Sequence, residues 1–174
     1  MIELERTYLA KTIPDLTNCK SKEIIDIYIP LEENHPKIRI RKNGDKYEVT
    51  KKQPIEGKDS TELEEQTIIL TKEEFDFISN LNGKKIHKIR YYYNHNGNMA
   101  EIDVFQGELK GLILVDFEFD TNEEKNSFTI PDFCLTEITH EEFIAGGMIC
   151  GKSYEDIEEN LNRFNYKKLL IHNI

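Results

Sequence analysis

Tryptophan is missing from this chain, and cysteine is scarce. The three cysteines, Cys19, Cys134 and Cys150, are an odd number without metal-ligand spacing. They read as reduced packing residues of a cytoplasmic protein rather than a disulfide framework. No apolar run approaches the roughly 20 residues that cross a bilayer as a helix, and the N-terminus opens in a strand pattern without the look of a signal or transit peptide. His35, His87, His95, His140 and His172 form neither HxH nor HExxH, so zinc is not expected. Positive charge is also short: 23 Lys and Arg stand against 33 Asp and Glu, a net charge of -10. That balance argues against binding a nucleic-acid duplex, which needs a basic surface. It leaves room for a local basic site that takes an anion. "AGGM" (145–148) lacks the spacing and the lysine of a phosphate-binding loop and reads as a turn. No Ser/His/Asp arrangement with supporting spacing is present. There is no repeat, low-complexity tract or linker, so residues 1–174 read as a single domain.

What the chain has in abundance is strands. Alternating patterns run over 2–10, 37–42, 45–52, 61–70, 86–94, 99–106, 112–120 and 134–139. "KNGD" (42–45) and "NHNGN" (94–98) carry turn residues that accept positive φ. They predict antiparallel pairing of 37–42 with 45–52 and of 86–94 with 99–106. Four helix starts have Ser/Thr-x-x-acid capping spacing: Thr71 with Glu74, Thr121 with Glu124, Thr139 with Glu142, and Ser153 with Asp156. The segment 18–30 stays open, although its "IIDIYIP" end has the composition of a further strand. "KLLIHNI" at the C-terminus is apolar with a basic start, which suits docking against a barrel better than membrane contact.

The strands have sharply divided faces. In "IELERTYL" (2–9), Glu3, Glu5 and Thr7 share one side, and Ile2, Leu4 and Tyr8 share the other with Arg6. Arg39 and Arg41 oppose Ile38 and Ile40. Lys52 lies on the polar side of "KYEVTKK", and Lys88 and Arg90 oppose Ile89 and Tyr91. Glu101 and Asp103 oppose Ile102 and Val104, Asp116 and Glu118 oppose Val115, Phe117 and Phe119, and Glu137 opposes Thr136 and Ile138. A solvated sheet face explains any one of these strands. Together they separate by sign, with basic pairs and acidic pairs on different strands, although like charges close together are unfavourable. Paired carboxylates suit a hard divalent cation such as Mg²⁺ or Mn²⁺. Paired Arg and Lys suit a polyanion with several oxygens. The two together describe a metal–polyphosphate complex.

"IELERTYL" resembles the ExExK signature that opens the CYTH superfamily, the triphosphate tunnel metalloenzymes. Matching stretches follow in order: "IRIRKNGDKYEVTKK" (38–52), "LEEQTIILTKEEF" (63–75), "KIRYYY" (88–93), "EIDVFQGELKGLILVDFEF" (101–119) and "LTEIT" (135–139). The resemblance implies a mainly β (α+β) fold, a closed eight-stranded antiparallel tunnel with a few flanking helices. It implies metal-dependent hydrolysis of a triphosphate, most simply inorganic triphosphate. The alternatives are a class IV adenylate cyclase and a non-catalytic polyphosphate- or nucleotide-binding protein. Carried over by position, Glu3, Glu5, Asp116 and Glu118 would bind Mg²⁺ or Mn²⁺. Arg39, Arg41, Lys52, Lys88 and Arg90 would bind phosphate. Glu65, Glu101, Asp103 and Glu137 would be further tunnel acids, and Glu3, Glu5 and Thr7 would serve catalysis. The expected ligands are triphosphate, polyphosphate or a nucleoside triphosphate, with the protein a monomer or homodimer. Two departures stand out. Thr7 occupies the place of the signature lysine, and "HEEFIAGGM" (140–148) lacks the Tyr and Asn that follow the late motif in the family.

Overall fold

The computed structural model describes residues 4–34, 36–54 and 63–171. Its strands are β1 (Leu4–Ala10), β2 (Lys20–Ile29), β3 (Ile38–Asn43), β4 (Lys46–Pro54), β5 (Leu63–Leu70), β6 (Lys84–His95), β7 (Asn98–Phe105), β8 (Ile113–Phe119) and β9 (Cys134–Glu137). The helices are α1 (Lys72–Ile78), α2 (Asn122–Ser127), α3 (Gly146–Ile149) and α4 (Tyr154–Asn162). The chain divides into two compact units, Met1–Lys22 with Lys88–Ile144 and Lys152–Ile174, and Glu23–His87 with Ala145–Gly151.

The strands follow the order β5-β4-β3-β2-β6-β7-β8-β1-β9 in one antiparallel, open sheet. The expected closed eight-stranded barrel is not what forms. The segment 18–30 supplies a ninth strand, because "IIDIYI" alternates with a buried Ile24, Asp26 and Tyr28 on one parity. The sheet ends on β9, which has only 4 residues against 8 in β5.

Both hairpins read from turn chemistry are present. Asn96 and Gly97 between β6 and β7 have φ of 52° and 91°, the two successive positive values of a tight hairpin turn. Gly44 turns β3 into β4 with φ of 60°. Thr71, Thr121 and Ser153 each complete a capping box with Glu74, Glu124 and Asp156, so α1, α2 and α4 start where the spacing placed them. The start at Thr139 does not form. Its Oγ1 accepts the Thr7 N–H at 3.0 Å and donates to Glu137 at 2.8 Å, so it is unavailable as a cap. A 3₁₀ turn at Glu142–Ile144 follows instead, and the "AGGM" segment is the single-turn α3 rather than a plain turn.

In the first unit, one face of β7, β8 and β1 forms the core, with Tyr8, Ile102, Ile113, Val115 and Phe117 all at 1% exposure or less. Leu169 and Ile171 of the C-terminal stretch pack on that core, and the Leu169 N–H bonds the Gly111 carbonyl at 3.0 Å. In the second unit, Ile27, Ile40 and Phe75 make a smaller core that also holds Tyr47, Val49 and Leu70. Each large buried side chain contributes roughly 1.5–3 kcal/mol. The opposite faces are therefore free to be polar. The cysteines are thiols without disulfides, and burial pushes the Cys134 thiol up to about 12. Among the described residues, no helix is long and apolar enough to cross a membrane.

Candidate functional site

The polar face of the first unit is assembled by strand register. β1 lays Glu5 against Glu118 and Thr7 against Asp116. β7 lays Glu101 against Asp116 on its other side, and β6 lays Arg90 against Asp103. Among the described residues, five carboxylates, Glu5, Glu101, Asp103, Asp116 and Glu118, thus share a face with two cations, Lys88 and Arg90. Glu3 lies outside the described residues.

Arg90 organises this face. Its Nε and Nη2 grip the two oxygens of Asp103 at 2.7 Å each, Nη1 bonds Glu101, and Nη2 stands 3.5 Å from Asp116. Lys88 adds a further bond to Asp103, whose side chain is 1% exposed. Burial pushes the Asp103 carboxyl up, but Lys88 and Arg90 outweigh it and hold the group below the ordinary aspartate range. Its neighbours are less well compensated. Burial raises Glu101, with Glu118, Asp103 and Asp116 adding to the rise against the pull of Arg90. Burial and the Asp103 charge raise Asp116, against Lys88, a hydrogen bond from the Thr7 side chain, and Arg90. Among the described residues, carboxylates outnumber cations on this face. A cleft of about 1150 Å³ opens past Glu101 and Glu118, bounded by Leu4, Phe119 and Phe133, with no Lys or Arg among the described residues of its wall.

Glu137 does not join this group. It lies across from Tyr8, on the core-side parity of β1, and its carboxylate is 3.6 Å from Arg6. Arg6 is accordingly turned away from Glu5 and Thr7.

The second unit carries the arginine pair of β3. Arg41 grips Asp26 of β2 through Nε at 2.6 Å and Nη2 at 2.7 Å. Arg39 lies opposite Tyr28, with Glu48 4.0 Å away, and its Nε is buried without a hydrogen-bond partner among the described residues. Lys52 is in register with Glu65, and the side chains of both lie outside the described part. Asp26 is the functional candidate that the strand patterns passed over. It had a signal: it is the only charge in "IIDIYI", and a buried charge demands a partner. Lys42 and His87 also meet on a carboxylate, Glu23, at 2.5 and 3.0 Å.

No protein-family profile matches the chain. It is 30% identical, over 142 residues, to an inorganic triphosphatase of Nitrosomonas europaea, which covers 81% of this chain and 91% of that protein. The chain belongs to the CYTH superfamily of triphosphate tunnel metalloenzymes. A solved structure described as an inorganic triphosphatase aligns with a TM-score of 0.68 and 23% identity, over 87% of this chain and 96% of that one. Another, described as a hypothetical protein, gives 0.69 and 25%, over 87% and 99%.

The donor set bears on the metal that this superfamily implies. Hard carboxylate oxygens on adjacent strands are what Mg²⁺ and Mn²⁺ take. An uncompensated acidic face beside an acid-lined cleft suits such a cation. Among the described residues, no three His, Cys, Asp or Glu side chains gather as a ready-made metal site. The described carboxylates fit the chemistry as a pair, Glu5 across from Glu118.

Proposed function

We propose that the protein hydrolyses inorganic triphosphate with the help of a divalent cation, Mg²⁺ or Mn²⁺. The observation that carries this reading is the gathering of carboxylates on the first unit's polar face, five beside two cations among the described residues. A bare triphosphate would be repelled there, whereas a divalent cation offsets part of the excess negative charge and would lower that repulsion. The name of the Nitrosomonas relative supports the same substrate.

Glu5 and Glu118 would hold the cation together with Glu3, and Asp116 stands beside them. When bound, the cation neutralises phosphate charge and orients a water. Arg90 spends three of its five guanidinium N–H groups on Asp103 and Glu101, and with Nη2 also 3.5 Å from Asp116 its remaining Nη1 N–H is the one best left for a phosphate oxygen. Lys88, fixed on Asp103, brings a second positive charge. These groups stabilise charge as the terminal phosphoryl departs, so that catalysis is chiefly positioning and electrostatics. Thr7 lies directly across the ladder from Asp116 and would help to keep that carboxylate in place. In the second unit, Arg39 and Arg41 suit phosphate oxygens as well. Lys52 belongs to the same proposed set, and Glu65 and Glu101 are supporting acids.

The test is phosphate release from triphosphate, ATP and long-chain polyphosphate, each with Mg²⁺, Mn²⁺ or EDTA. Metal-dependent release from triphosphate is expected, without cyclic AMP from ATP. Cyclic AMP would move the assignment to a class IV adenylate cyclase. Tight binding with no product would move it to a non-catalytic binder.

A further inference from the structure

We infer that Asp26 is a positioning residue for Arg41, fixing its guanidinium in the orientation that meets phosphate. The inference rests on the proposed phosphate-binding role of Arg41.

Asp26 is 2% exposed and lies between Ile25 and Ile27 on β2. Its cross-strand partner is Arg41 itself, so the contact is set by backbone register rather than by a chance side-chain approach. Both carboxylate oxygens are used, one by Nε at 2.6 Å and one by Nη2 at 2.7 Å. Two parallel bonds fix the plane of the guanidinium as well as its position. Three of the five N–H groups remain, on a side chain that is 22% exposed. Stability alone does not explain the pair, because apolar residues of similar volume often hold a fold as well as a buried ion pair does.

The neighbouring register repeats the pattern. Tyr28, two residues along β2, faces Arg39 as Asp26 faces Arg41. β2 thus presents a polar side chain to each arginine of β3. It saturates one edge of Arg41 while the Nε of Arg39 stays without a partner among the described residues. A preorganised Arg41 spends less side-chain entropy when an anion arrives.

The experiment is calorimetric binding of sodium triphosphate, with and without Mg²⁺, to the wild type, Asp26→Asn, Asp26→Glu, Arg41→Gln and the Asp26→Asn/Arg41→Gln double variant. Melting curves and circular dichroism check each fold. Asp26→Asn should raise Kd about tenfold, which corresponds to about 1.4 kcal/mol. Asp26→Glu, which keeps the carboxylate, should recover part of the loss. Adding Asp26→Asn to Arg41→Gln should cost nothing more, since the carboxylate acts through the arginine. A purely structural Asp26 would weaken binding equally in both backgrounds. That additivity, or wild-type Kd in a folded Asp26→Asn, overturns the inference. Should Asp26→Asn fail to fold, the same cycle is run with Asp26→Glu and judged in the same way. Unchanged Kd in Arg41→Gln would instead remove Arg41 from the phosphate site, and with it this role of Asp26. Binding without phosphate release would fault the triphosphatase reading and leave the inference standing.

Discussion

Replacing Asp103 with Asn should destabilise the protein more than any change on the exposed polar face. The carboxylate is 1% exposed and holds two cations, Arg90 through a fork at 2.7 and 2.7 Å and Lys88 through a further bond. Asn matches its shape but not its charge, and leaves both cations short of a partner where water cannot replace it. Removing one side of a buried pair typically costs about 3–5 kcal/mol. That is a large share of a total stability of roughly 5–15 kcal/mol. For a chain of this size it should lower the melting temperature by roughly 6–20 °C. The pH dependence follows from the direction of the shift. Burial raises the Asp103 carboxyl, but Lys88 and Arg90 outweigh it and leave the group below its unfolded value of about 3.9. Its contribution is therefore complete above that pH and is lost as the pH falls through the lower folded value. Urea unfolding of wild type and Asp103→Asn at pH 7 should show the full gap, and the gap should narrow on acidification towards pH 2. A gap below about 1 kcal/mol at pH 7, or one that widens with acid, would refute the argument that charge pairing outweighs burial here.

Other outcomes follow from the same geometry. Glu118→Gln should abolish metal-dependent phosphate release with an unchanged melting temperature, since Glu118 is exposed and faces Glu5 across the ladder; wild-type turnover would remove it from the metal site. Thr7→Lys should bring a positive charge beside Asp116 and raise kcat on triphosphate by one to two orders of magnitude, roughly 1.4–2.7 kcal/mol of transition-state stabilisation; an unaltered kcat would show that this site does not lack the family's lysine. Tyr166→Phe should cost about 1–3 kcal/mol in urea unfolding. Its buried hydroxyl takes the Ile113 N–H and donates to the Gly111 carbonyl, both at 2.9 Å, and phenylalanine leaves both backbone groups without that partner.

Local rules carried much of this protein. Alternation with period two located the strands and their polar faces, because each residue in a strand reverses its side chain whatever the strand later packs against. Turn chemistry placed both hairpins, since few residues tolerate the positive φ found at Asn96 and Gly97. Three of four capping boxes formed, because a Ser or Thr three residues before an acid satisfies helix N–H groups locally. The fourth failed for a reason no local window contains: Thr139 is claimed by the Thr7 backbone, 132 residues away in sequence. Parity likewise put Glu5, Glu101, Asp103, Asp116 and Glu118 on polar faces, and it could not tell which would lie side by side. That was decided by register, which set Arg90 against Asp103, Asp26 against Arg41, and Glu137 across from Tyr8 with Arg6 nearby. Whether a sheet closes depends on which strands pair, not on any strand's alternation, and among the described residues the pairing order has β5 and β9 as its two ends. The charge on each side chain is written in the sequence; how much of it is cancelled depends on which neighbour the ladder brings within reach.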